Sequence, residues 1–171
     1  RAVIASDGRI PAFWATKHPF TSASNFGDAL SPVVINALCG LPSAERAPND
    51  PGVRLVTCGT VLNWQARGSI HVWGTGLDPN LNSQHKSIPY GFEKPDNLIM
   101  RVHAVRGALT RKILLKAGID CPEVYGDPGY LLPKIIPEST DKTYELGIIP
   151  HISEFDSQTP DASILQHLKR Y

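Results

Sequence analysis

The sequence predicts an α/β domain: a Rossmann-like parallel sheet with flanking helices. Three observations carry that expectation. Short apolar or β-branched runs end repeatedly in glycine. Two segments between them space their apolar residues at the helical period. The composition, 42% hydrophobic and 19% charged over 171 residues, supports a buried core rather than disorder. Strands that alternate with helices pair in parallel, and the helices cover the sheet.

The expected strands are 10–15, 53–58 before Gly59, 70–73 before Gly74, 98–105 before Gly107, 123–125 before Gly126, and 146–149 before Pro150. In the first helical segment Leu30, Val33, Val34, Ala37 and Leu38 fall on one face. Ser31 is expected to cap its start, with Pro32 at the first helical position and Gly40 at its end. In the second, Leu109, Ile113, Leu114 and Ala117 share a face, Arg111, Lys112 and Lys116 point elsewhere, and Gly118 stops it. Residues 49–52 and 78–95 read as surface loops. The second carries Pro79, Pro89, Gly91 and Pro95 and reads as a mobile flap.

A boundary is expected within 133–141, where Pro133, Pro137 and polar residues cluster. It divides the chain into an N-terminal Rossmann-like domain, 1–137, and a segment 138–171 that reads as linker and opening elements of a truncated C-terminal domain. One strand and one helix cannot build a second core. The segment therefore packs back on the first domain, or a second domain continues past Tyr171.

Formal net charge is +1. No long-range field gathers nucleic acid or an anionic membrane, so an anionic ligand has to be held by a local site. Arg1 to Ser6 does not read as a signal peptide, and no apolar run approaches the roughly 18 residues of a membrane span. Cys39, Cys58 and Cys121 are odd in number and widely spaced. Each reads as a small core residue in a reducing, cytoplasmic setting. His18, His71, His85, His103 and His167 lack ligand spacing, so no metal is expected.

Five stretches carry the candidate chemistry. Asn25-Phe26-Gly27-Asp28 joins the first strand to the first helix; Asp28 is read either as a helix cap or as a base for a hydroxyl. Gly74-Thr75-Gly76 follows a strand and reads equally as a ligand contact or a tight turn. It lacks the third glycine of a dinucleotide fingerprint. Val105-Arg106-Gly107 leads a strand into a helix, where a guanidinium and free N–H groups make an anion site; a structural ion pair with Asp127 is the competing reading. Tyr125-Gly126-Asp127-Pro128 ends another strand. Asp127 either faces a cleft or makes an Asx-type turn with Pro128 and Gly129. Ile149-Pro150-His151 delivers an imidazole at the expected boundary.

In this order the stretches resemble the polysaccharide pyruvyl transferase family. The resemblance covers Asn25 to Pro32, Val72 to Gly76, Val105 to Thr110, Gly126 to Pro128 and Ile148 to His151. It implies similarity to the N-terminal half of a two-domain enzyme of the GT-B type. It also implies transfer of a pyruvyl group from phosphoenolpyruvate to a sugar of an exopolysaccharide, or of its lipid-linked precursor, as a cyclic ketal, a reaction for which no cofactor is expected. By resemblance, Asp28 is the base and His151 the acid, or a phosphate ligand when protonated. Arg106 holds phosphate or carboxylate, aided by the amide of Gly107, and Asn25, Gly27, Gly74, Thr75, Gly76 and Asp127 meet substrate. The implied partners are phosphoenolpyruvate and a saccharide acceptor, with peripheral contact to a membrane-bound acceptor left open. Two other readings share the fold: a GT-B nucleotide-sugar glycosyltransferase, and a catalytically incomplete sugar-binding half-domain.

Overall fold

The computed structural model describes residues 5, 7–15, 25–81, 91–141 and 143–147. It holds a five-stranded, all-parallel sheet in the order β2-β1-β3-β4-β5. The strands are β1 Ile10–Phe13, β2 Ser43–Glu45, β3 Val53–Val56, β4 Gly68–Trp73 and β5 Leu98–Ala104. From β1 the chain runs through helix α1, Phe26–Cys39, to β2 on one side, then returns to β3 on the other. The order of winding therefore reverses at β1 and β3, and in sheets of this kind that crevice takes ligands.

Alternation along β4 buries Ile70 and Val72 on one face. They pack with Val56, Leu62, Leu98 and, from helix α2 (Ala108–Lys116), Ile113 and Leu114. Each fully buried aliphatic side chain contributes about 1.5–3 kcal/mol. A smaller cluster of Ile10, Ala12 and Ile35 seats α1 on the opposite face.

Several expectations need correction. Helix α1 starts at Phe26, five residues before Ser31. Asn25 caps it, its Oδ1 accepting from the amides of Gly27 at 2.8 Å and Asp28 at 3.4 Å. Pro32 consequently lies inside the helix, where it cannot donate to the Asp28 carbonyl. The buried stripe is Asp28, Ser31, Val34 and Ile35, while Val33 and Leu38 face solvent. Cys39, in the last turn, is exposed rather than a core residue; Cys58 and Cys121 are buried. In α2 the buried face is Thr110, Ile113 and Leu114, with Leu109 exposed.

The strand expected at 123–125 reduces to one parallel bridge, Val105 with Tyr125, because Pro122 and Pro128 bracket it and cannot donate to a ladder. Leu146 and Gly147 are not in a strand; Ile148 and Ile149 lie outside the described residues. The centre of the expected flap, 82–90, also lies outside them. Its described ends are anchored: Asn63 binds Asp78 and Leu81, and the Gly91 amide donates to the Pro79 carbonyl. After the bridge a 3-10 turn, Pro128–Leu131, and a short helix α3, Leu132–Ile135, pack against α1.

Among the described residues no helix is long and apolar enough to cross a membrane.

Candidate active site

At the carboxyl edge of the sheet the strand ends and the start of α1 enclose a cleft of about 660 Å³. Asn25, Gly27, Asp28, Arg106 and Asp127 line it, so residues from three distant stretches of sequence meet in one place. Cys58, Gly59, Thr60, Trp64, Leu30 and Tyr130 line it as well, and the sequence reading did not assign them to a site.

Asp28 is the third residue of α1, not a residue outside the helix, and Asn25 performs the capping expected of Ser31 or Asp28. The Asp28 carboxylate is buried against Gly59 at the end of β3, where a β-carbon on Gly59 would overlap Asp28 Oδ1. Because Asn25 Oδ1 already accepts from the Gly27 and Asp28 amides, the N-terminus of α1 has little left to offer an anion.

Arg106 offers more. The residue is exposed and lines the cleft, and it forms no ion pair among the described residues. The structural ion pair with Asp127, the competing reading, is not formed. The guanidinium instead lies over Gly76, where a β-carbon would come within 2.7 Å of Nη2. Its backbone is fixed by the Arg106 amide donating to the Thr75 carbonyl at 3.1 Å.

Gly74, Thr75 and Gly76 do not line the cleft; they form the layer beneath it. Thr75 is fully buried, and its hydroxyl donates to the Gly59 carbonyl at 2.9 Å, clamping the end of β4 to the end of β3. Gly74, at φ +91°, admits Pro128 where a side chain would collide with that ring. Gly107 caps α2 without lining the cleft. Asp127 lines the cleft and also makes the Asx-type turn, its Oδ1 accepting from the Gly129 amide at 2.9 Å. His151 lies outside the described residues.

Burial pushes the Cys58 thiol up, although the hydroxyls of Thr57 and Ser31 draw it down. A thiol held protonated is a poor nucleophile.

Residues 61–171 match the family model described as polysaccharide pyruvyl transferase. The chain belongs to the polysaccharide pyruvyl transferase family. The match takes in the strand-end layer of Thr75 and Gly76, the Arg106 and Asp127 positions, and His151. Asn25 to Asp28, the α1 side of the cleft, precede it. No curated protein and no solved structure matches the chain.

The missed residues had one readable signal. Cys58-Gly59 ends a β-branched strand just as Trp73-Gly74 does. Trp64 and Tyr130 had none, since both sit on 3-10 turns whose place in space depends on tertiary packing.

Proposed function

We propose that the chain forms one wall of a phosphoenolpyruvate-dependent pyruvyl transferase site whose product is a cyclic ketal on a sugar. The observation that carries this reading is the Arg106 guanidinium, unpaired among the described residues, facing a cleft that also holds the Asp28 carboxylate. Phosphoenolpyruvate brings a phosphate and a carboxylate, and a planar guanidinium binds either group through two parallel hydrogen bonds. His151, when protonated, is the proposed second cation or the acid.

The chemistry balances without a redox step. Protonation at C3 of the donor makes C2 electrophilic. One sugar hydroxyl adds to C2 and gives its proton to Asp28. Phosphate leaves C2, and the second hydroxyl adds there to close the ketal ring, its proton passing to the departing phosphate. General acid and base are each worth about 10²–10⁴-fold. The GT-B arrangement, with a second domain forming the opposite wall, belongs to the same proposal, as does a cytoplasmic site of action.

Calorimetric titration with phosphoenolpyruvate, UDP and GDP tests it. The expected result is binding of phosphoenolpyruvate alone, lost in Arg106→Ala and weakened in Arg106→Lys, with both variants folded. Binding of UDP or GDP instead would make the chain a nucleotide-sugar enzyme. Response to none of the three would leave a saccharide- or partner-binding domain.

A further inference from the structure

Tyr130 is 84% exposed although it lines the cleft, and no aromatic ring stacks on it among the described residues. Exposure of this kind usually marks a mobile side chain on a loose loop, but the backbone here is held on three sides. The Tyr130 amide donates to the Asp127 carbonyl at 3.0 Å, Asp127 Oδ1 accepts from Gly129 at 2.9 Å, and Pro128 packs into the space left by Gly74. The turn also lies against α1, where a β-carbon on Gly129 would be 3.7 Å from Leu30 Cδ1. A rigid turn thus presents a bare aromatic ring at the rim of the cleft.

We propose that Tyr130 is the stacking platform for the pyranose ring of the acceptor, with Asn25 and Asp28 meeting its hydroxyls. One face of a pyranose carries axial C–H groups and is apolar, while its edge carries hydroxyls. An aromatic ring removes the first from water, and carboxylate and amide groups satisfy the second. Asn25 Oδ1 is engaged by α1, which fixes the side chain and leaves Nδ2 to donate. A nucleobase would also stack on Tyr130. The pyruvyl transferase reading selects the sugar, and the Asp28 and Asp127 carboxylates of the same cleft can accept hydrogen bonds from its hydroxyls. The acceptor therefore lies toward α1 and the 3-10 turn, and the anionic donor toward Arg106 and Gly76.

This assignment rests on the pyruvyl transferase reading, and its test separates the two. The chain, Tyr130→Ala and Tyr130→Phe are titrated with the methyl glycosides of galactose, glucose and N-acetylmannosamine by saturation-transfer NMR. Each is also titrated with phosphoenolpyruvate by calorimetry. The expected result is about tenfold weaker glycoside binding in the alanine variant, near-native binding in phenylalanine, and unchanged phosphoenolpyruvate affinity in both. Glycoside binding indifferent to Tyr130→Ala overturns the proposal, as does a wild-type chain that binds none of the glycosides. Joint loss of both ligands with a lowered Tm makes Tyr130 a packing residue and overturns it too. UDP binding that depends on Tyr130 assigns the ring to a base instead. Failure of the donor reading shows separately, as absent phosphoenolpyruvate binding in the wild type.

Discussion

The Asp28 carboxylate rests directly on the α-carbon of Gly59, joining the first turn of α1 to the end of β3. The contact needs glycine for two reasons. Gly59 holds φ at +91°, and a β-carbon there would overlap Asp28 Oδ1. Gly59→Ala is expected to cost about 1–3 kcal/mol in urea denaturation, from backbone strain and from displacing the carboxylate. Adding Asp28→Ala removes the collision but not the strain. The double variant should therefore lose less stability than the two single losses added together. Strict additivity would mean that the two residues do not press on one another.

The lower layer of the site was legible because its physics is local. A strand that turns sharply at its carboxyl end asks for glycine, and Gly59, Gly74 and Gly126 stand where the runs stop. Arg106 was legible for the same reason, between a strand and a helix start. The start of α1 was misread because Asn25 and Ser31 are both good caps, and only tertiary packing of Asp28 and Ser31 against the end of β3 selects the earlier one. Strand β2 was missed because a three-residue edge strand, Ser43–Glu45, has too little apolar alternation to read. Tyr130 was invisible because its surroundings come from α1, about a hundred residues away in the chain.

Arg54 was also unreadable as sequence. It is fully buried, and its guanidinium donates to Gln65 Oε1 and to the carbonyls of Pro48, Asp50 and Arg67, at 2.7–2.8 Å. One side chain thus ties the loop before β3 to the loop before β4. Arg54→Met leaves four acceptors without their donor and is expected to cost about 3 kcal/mol or more. Arg54→Lys should fare little better, since a point ammonium cannot span the fork. Chemical denaturation reads both. Near-native stability in Arg54→Met would show that water or neighbouring amides replace the guanidinium.

His71 on β4 and His103 on β5 stack with ring centroids 5.1 Å apart and share a 2.9 Å contact between Nδ1 and Nε2. Burial pushes His71 below the ordinary imidazole value, and the charges of His103 and Arg101 push it the same way. The folded state therefore takes up its proton less readily than the unfolded chain. Its contribution to stability is intact above the unfolded imidazole pKa and is lost as pH falls through that value. Stability should decline as pH drops from about 7 to 5, and His71→Gln should flatten the decline. Urea midpoints across that range at constant ionic strength measure it. An unchanged slope in the variant would place the acid sensitivity elsewhere.

Asp28 gives the sharpest test of chemistry against packing. Asn25 caps α1, so the helix start does not depend on Asp28, and Asn25→Ala rather than an Asp28 variant should show the cap loss of about 1 kcal/mol. Asp28→Asn keeps the shape that packs on Gly59 but removes the ability to take a proton. If Asp28 is the base, the asparagine variant should keep its Tm within a few degrees. It should lose about 10²–10⁴-fold in phosphate release from phosphoenolpyruvate in the presence of an acceptor saccharide. The loss should fall on kcat rather than on donor affinity, because Arg106 and not Asp28 is the proposed anion ligand. Asn25→Ala should show a different pattern, a lower Tm with any loss of activity falling on the KM for the acceptor rather than on kcat. Wild-type turnover in Asp28→Asn would reduce Asp28 to a strut between α1 and β3 and leave the hydroxyl's proton to another group.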